Sequence, residues 1–106
     1  MKTEIEKFVT EINEVRKEFY TTSFPNLKPA KIALSNRGRK YAKLVYLNEA
    51  GKVASVWGFI ALNNGNGYRK GDLLKPASFS APAKHARGNI LNGTAQWTVN
   101  GPAYLR

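Results

Sequence analysis

The chain contains no cysteine, which excludes a disulfide framework and any thiolate metal site. His85 is the single histidine, so a histidine-rich metal centre is excluded as well. Acids are scarce, with seven Asp and Glu against 17 Lys and Arg, and beyond residue 20 only Glu49 and Asp72 remain. A pair of catalytic carboxylates would have to come from those two or from the N-terminal glutamates, whose spacing reads as a solvated helix face. No Gly-x-Ser-x-Gly elbow is present, and Gly65-Asn66-Gly67 lacks the Gly-Lys-Ser/Thr continuation of a Walker loop. A serine–histidine pairing with His85 stays open, yet the convergent groups that an enzyme needs are few. A protein without catalysis, cofactor or metal is expected. Long apolar runs are missing too. The opening MKTEIEKFVTEINEV interleaves acids with apolar residues, whereas a secretory signal needs an unbroken apolar stretch and a membrane span needs roughly 20 such residues. A soluble, intracellular chain with no membrane partner is expected.

What is abundant is positive charge, +10 in total. Residues 1–20 carry four bases and five acids, a net −1, and the rest of the chain carries 13 bases and two acids, a net +11. A field that one-sided favours anionic partners: nucleic acid, nucleotides or acidic proteins. The 106 residues and the apolar share of 42% suit one globular domain with one core. The expected organisation is a single domain over 1–106, with a helix and candidate assembly element at 1–22 and a basic sheet-and-loop region at 23–106.

Ile5, Phe8, Val9, Ile12, Val15 and Phe19 follow a helical period with charges opposite, which predicts a helix over about 3–20. Thr3 and Glu6 read as a capping box, and Pro25 stops the helix. The pattern then turns to strands: 31–35, 40–47, 52–62 and 68–74, with Asn36-Arg37-Gly38 as a turn and Asn48-Glu49-Ala50-Gly51 as a hairpin loop. Two short pieces, 89–91 and 96–99, are candidates to close the sheet. The segment 75–89 is too rich in Pro, Ala and Gly for an assignment. A helix before antiparallel strands predicts an α+β domain, one N-terminal amphipathic helix followed by a small, mainly antiparallel sheet. The apolar stripe fits packing across that sheet and packing against a second copy equally well.

The unassigned segment carries the binding signal. Pro76 and Pro82 restrict it, so its side chains can be held in place before a ligand arrives. Phe79 lies between small residues, as an accessible stacking ring or as an ordinary core residue. Lys84, His85 and Arg87 can donate to phosphate, and Asn89, after the permissive Gly88, carries both donor and acceptor for a base edge or a ribose hydroxyl. Stacking, cations and an amide together are what nucleotide recognition uses. Asn36-Arg37-Gly38-Arg39-Lys40 is either a phosphate-contacting turn or a solvated tip. The terminal Gly101-Pro102-Ala103-Tyr104-Leu105-Arg106 is apolar enough to dock, which would hold the Arg106 guanidinium near the body of the protein.

In Phe79 and Asn89 within 75–89, in the basic C-terminal residue Arg106, and in the order of helix before small sheet, the sequence resembles the phage-encoded Thoeris anti-defence proteins that act as signal sponges. The resemblance covers most of the chain as an outline and a short stretch as a motif. It implies a protein working in the cytoplasm of an infected bacterial host. Such a protein binds cyclic ADP-ribose isomers made by a bacterial TIR-domain enzyme and withholds them without chemistry. Some members also take small cyclic oligonucleotides. It implies a homo-oligomer assembled through the N-terminal helix, with ligand sites at subunit boundaries. On that model Phe79 stacks on adenine, Asn89 holds the base or ribose, Arg106 grips phosphate, and Ala81, Pro82 and Ala83 shape the loop. Lys84 and Arg87 join the site on charge grounds alone. A small basic DNA- or RNA-binding protein is the alternative, with Tyr41, Tyr46, Trp57 and Phe59 as strand positions that either face a nucleic acid or belong to core and sheet surface. A third is an inhibitor that blocks an acidic host protein.

Overall fold

A computed structural model of the chain describes residues 2–37, 40–65 and 67–103. Helix α1 (Lys2–Ser23) precedes five strands, β1 (Lys31–Arg37), β2 (Tyr41–Leu47), β3 (Val53–Ala61), β4 (Asp72–Pro76) and β5 (Pro82–Asn89). These form one antiparallel sheet in the order β1-β2-β3-β4-β5. Two short strands, β6 (Trp97–Thr98) and β7 (Gly101–Pro102), pair with each other. The fold is α+β, one N-terminal helix followed by an antiparallel sheet.

The helix packs across its own sheet. Ile5, Phe8 and Ile12 enter one cluster with Ile32, Ala42, Leu44, Trp57, Ile60 and Leu73, taken from β1 to β4. Burying each such side chain stabilises by about 1.5–3 kcal/mol. This uses the apolar stripe within the chain for its first three turns. Further along, Val15 and Phe19 stay 40% exposed, and Phe19, Tyr20 and Phe24 pack on one another. The helix begins at Lys2, so Thr3 lies inside the first turn and is not its cap. At the far end it runs past residue 20, and the Phe24 N–H still donates to the Tyr20 carbonyl at 2.8 Å.

Two polar residues fasten the helix. The Asn13 amide donates to the Ile32 carbonyl at 2.9 Å and accepts from the Ile32 N–H at 2.8 Å. It thereby takes up main-chain groups on the edge strand that would otherwise invite another strand. Arg16 is buried. Its guanidinium donates to the carbonyls of Ala30 and Val99 and lies 5.1 Å from the Tyr46 ring centre and 5.6 Å from that of Tyr20.

In β3 the pairing with β2 passes from Leu44↔Gly58 to Val45↔Val56 and skips Trp57. This bulge lets Trp57 join the helix-side cluster while Phe59 belongs to the other face. Trp57, Phe8 and Trp97 meet edge to face, with ring centres 5.8–6.0 Å apart. On the far face Phe59, Ala61 and Leu74 are buried against Tyr41, Val56, Tyr68 and Ala86.

Further sequence expectations change. β1 runs through Asn36 and Arg37, expected as a turn. The strand expected over 68–74 begins only at Asp72, because Gly71 turns the chain with φ 90°. The unassigned segment 75–89 contains the whole of β5, whose proline stands at its first residue, where a missing N–H is tolerated. The pieces 89–91 and 96–99 do not close the sheet: Asn89 ends β5, residues 90–91 turn, and β6 pairs only with β7.

Candidate functional site

Phe79 sits in the tip between β4 and β5. The tip is closed by main-chain bonds from the Ala77 and Ser78 N–H groups to the Ala81 carbonyl, 3.0 and 3.1 Å. The Ser78 hydroxyl also accepts from the Ser80 and Ala81 N–H groups. The Phe79 ring is 56% exposed, and the Lys43 ammonium lies 4.3 Å from its centre. Lys43 pairs with Phe59 in the sheet, so the ring and the cation share the face away from the helix. The core alternative for Phe79 is thereby removed.

Asn89 lies at the other end of β5. Seven strand steps of about 3.3 Å put the two ends of β5 about 20 Å apart, too far for one compact nucleotide to touch both in a single chain. The Asn89 amide is also occupied. It donates to the Lys70 carbonyl at 2.8 Å and to Asp72 Oδ1 at 3.0 Å, and it accepts from the Leu91 N–H at 2.7 Å. Its position is structural, fixing the wall of a cavity.

That cavity has a volume of about 650 Å³ and lies between the β3–β4 loop and the turn after β5. Its polar lining includes Asn64, Arg69, Asp72, Asn89, Asn92 and Thr94. The asparagine oxygens face the protein: Asn64 Oδ1 accepts from the Lys70 N–H at 2.9 Å, and Asn92 Oδ1 accepts from the Thr94 N–H at 3.1 Å. An oxygen must stand opposite each N–H, so the amide orientations follow from the network. Both Asp72 oxygens are likewise taken, by the Arg69 N–H at 2.8 Å and by Asn89. Sequence reading took 63–67 for a simple break and missed Asn64, Arg69 and Asn92. The density of Asn and Gly there was the signal.

The remaining candidates divide. Lys84 is exposed on β5. Arg87 is committed to the fold, donating from Nε to the Ala103 carbonyl at 3.0 Å and from Nη1 to the His85 carbonyl. Lys75 donates to the Pro102 carbonyl at 3.1 Å. Together with Arg16 on Val99, three cations thus hold the segment 99–103 by its carbonyls. Gly101–Pro102 docks as β7, and Pro102 lies so close to Gly58 that a Cβ there would come 2.9 Å from its ring. Arg106, with Tyr104 and Leu105, lies outside the described residues, as do Gly38 and Arg39 of the basic turn at 36–40.

Of the strand aromatics, Trp57 and Phe59 are buried, and Tyr46 packs against the helix-side core. Tyr41 is partly accessible, its ring 5.5 Å from that of Tyr68. Partial burial, and then the hydrogen bond to Tyr68, hold its phenol above the ordinary tyrosine range.

Among the described residues no group of three or more His, Cys, Asp or Glu could hold a metal ion, and no helix is long and apolar enough to cross a membrane. Fold and surface define a small basic α+β domain with an exposed, cation-flanked ring at one end of an edge strand and a polar cavity at the other. The chain belongs to DUF7717, a family of unknown function, whose model it matches over residues 2–101. Comparison with curated proteins and with solved structures yields no match.

Proposed function

We propose that this protein captures a cyclic nucleotide signal, a cyclic ADP-ribose isomer, and withholds it without altering it, as a phage anti-defence sponge in the cytoplasm of the infected cell. The observation that carries the reading is Phe79, a ring more than half exposed on a hydrogen-bonded tip, with the Lys43 ammonium 4.3 Å from its centre. The Lys43 ammonium lies over one face of that ring, the exposed remainder offers a base a stacking surface, and the closed tip means little ordering is lost on binding. The net +11 of residues 21–106 raises the capture rate for a dianion.

Because the two ends of β5 stand about 20 Å apart, the geometry favours a site shared between two copies, the Phe79 end of one meeting the Asn89 end of the other. Arg106 and Lys84 remain candidates for phosphate contact in that shared site, whereas Arg87 acts through the C-terminal segment it holds. Assembly would draw on what the sheet leaves uncovered of the helix stripe, Val15 and Phe19.

The test is recovery. After incubation with each isomer and removal of excess, denaturation should release stoichiometric, unmodified ligand. A hydrolysed product, or no retained ligand, defeats the proposal.

A second reading, single-stranded nucleic acid, is favoured by the Tyr41–Tyr68 ring pair on the face that also carries Lys43. Polymer binding weakens steeply with salt in proportion to the phosphates contacted, whereas a stacked compact ligand gives a shallow slope.

A further inference from the structure

The cavity at the Asn89 end of β5 gathers side-chain donors from two loops. Asn64 and Asn92 spend their oxygens on main-chain N–H groups, which leaves each Nδ2 without a partner among the described residues. The Asp72 carboxylate, the acid in the lining, is buried and turned into the protein by one accepted bond at each oxygen, and its charge is the one the pocket's cations must outweigh. Arg69 lines the same space, is exposed, and its guanidinium has no partner among the described residues. A planar fork of five donors from one side and amide donors from two loops suit a ligand with several acceptor oxygens pointing in different directions. We infer that this cavity is a phosphate pocket, with Arg69 as its cation and the Asn64 and Asn92 amides as its neutral donors.

The pocket is built before any ligand arrives. Gly88 has φ 85° and lies under the Thr94 carbonyl, so the turn carrying Asn92 crosses directly over β5. Gly71 has φ 90°, and a Cβ there would come 2.6 Å from Asn89 Oδ1. Asn89 is therefore a positioning residue, which ties Lys70 and Asp72 of the β3–β4 side to Leu91 of the turn. The inference rests on the reading of an anionic nucleotide ligand and assigns its pyrophosphate to this cavity.

The test uses the full chain and inorganic pyrophosphate, followed by amide chemical shifts. Residues around Asn64, Arg69–Gly71 and Asn92–Thr94 should shift on titration. Arg69→Gln should weaken binding roughly 10- to 100-fold, as loss of a charge-assisted contact does. Asn92→Asp keeps the oxygen that accepts from Thr94 but replaces the amide donor by an anionic oxygen, and it should weaken binding at least as much. Lys52→Gln, an exposed cation between β2 and β3, should leave pyrophosphate binding unchanged. Absence of shifts at the cavity, or pyrophosphate affinity unchanged in both folded pocket variants, overturns the inference. A parallel titration with cyclic ADP-ribose isomers separates the two proposals. Isomer binding undiminished by Arg69→Gln and Asn92→Asp removes the pocket and spares the sponge. Pyrophosphate bound in the cavity of a protein that takes no isomer removes the sponge and spares the pocket.

Discussion

Replacing Phe8 by alanine tests whether the helix stripe is satisfied by its own sheet. Phe8 is 6% exposed and packs edge-on against Trp57 and Trp97 at ring distances of 6.0 and 5.8 Å. Truncating a buried phenylalanine costs about 3–5 kcal/mol, of which the two ring pairs supply about 0.5–1.5 kcal/mol each. A domain of this size holds only about 5–15 kcal/mol in all, so the loss is a large share. With a urea dependence of about 1–3 kcal/mol per molar, the unfolding midpoint should fall by about 1 M or more. Phe19→Ala, on the same stripe but at a site 40% exposed, should cost under about 1.5 kcal/mol. Urea unfolding of both variants at two protein concentrations gives the answer. Equal losses, or a Phe8→Ala loss that shrinks as the protein is concentrated, would mean that the stripe packs on a second copy and not on its own sheet.

Asn13→Ala removes both bonds to Ile32 and should lower stability by about 1–3 kcal/mol in thermal unfolding; an unchanged midpoint contradicts the edge-clamp role. Gly88→Ala forces a side chain into the Thr94 carbonyl at positive φ and should cost about 2 kcal/mol or more. A variant as stable as the parent would refute the crossing of the turn over β5. Partial burial raises the Tyr46 phenol above the ordinary value of 10.0, with the nearby Arg16 charge working against the shift. A folded-state value above the unfolded one leaves stability level below pH about 10 and lowers it as pH rises further. Tyr46→Phe should flatten part of that alkaline fall, Tyr41 contributing the rest, and an identical pH profile would count against it.

The helix, β1 to β3 and the α+β class were legible because Ile5, Phe8 and Ile12 repeat with helical spacing and because turn residues bracket the apolar runs. β5 was not, since Ala83, Lys84, His85 and Arg87 show no apolar alternation. Its place comes from pairing with β4, a long-range contact that local pattern does not encode. The same limit separated the site residues. Phe79 and Asn89, ten positions apart, look like one loop in a sequence, whereas an intervening strand puts them at opposite ends of the sheet. Likewise Arg87 reads as a free cation until the carbonyl of Ala103 is seen beside it. The bulge at Trp57 is a further case, because a two-residue period would place Trp57 and Phe59 on one face.

The proposed capture depends on Phe79 stacking the base of a cyclic nucleotide. Calorimetric titration of the protein and of Phe79→Ala with cyclic ADP-ribose isomers tests it most directly. The parent should bind an isomer saturably. The variant should lose about 1–3 kcal/mol of binding, the worth of one stacked base, with an unfolding midpoint nearly unchanged at this exposed position. No heat with any isomer, or a variant that binds as well as the parent per folded molecule, would contradict it.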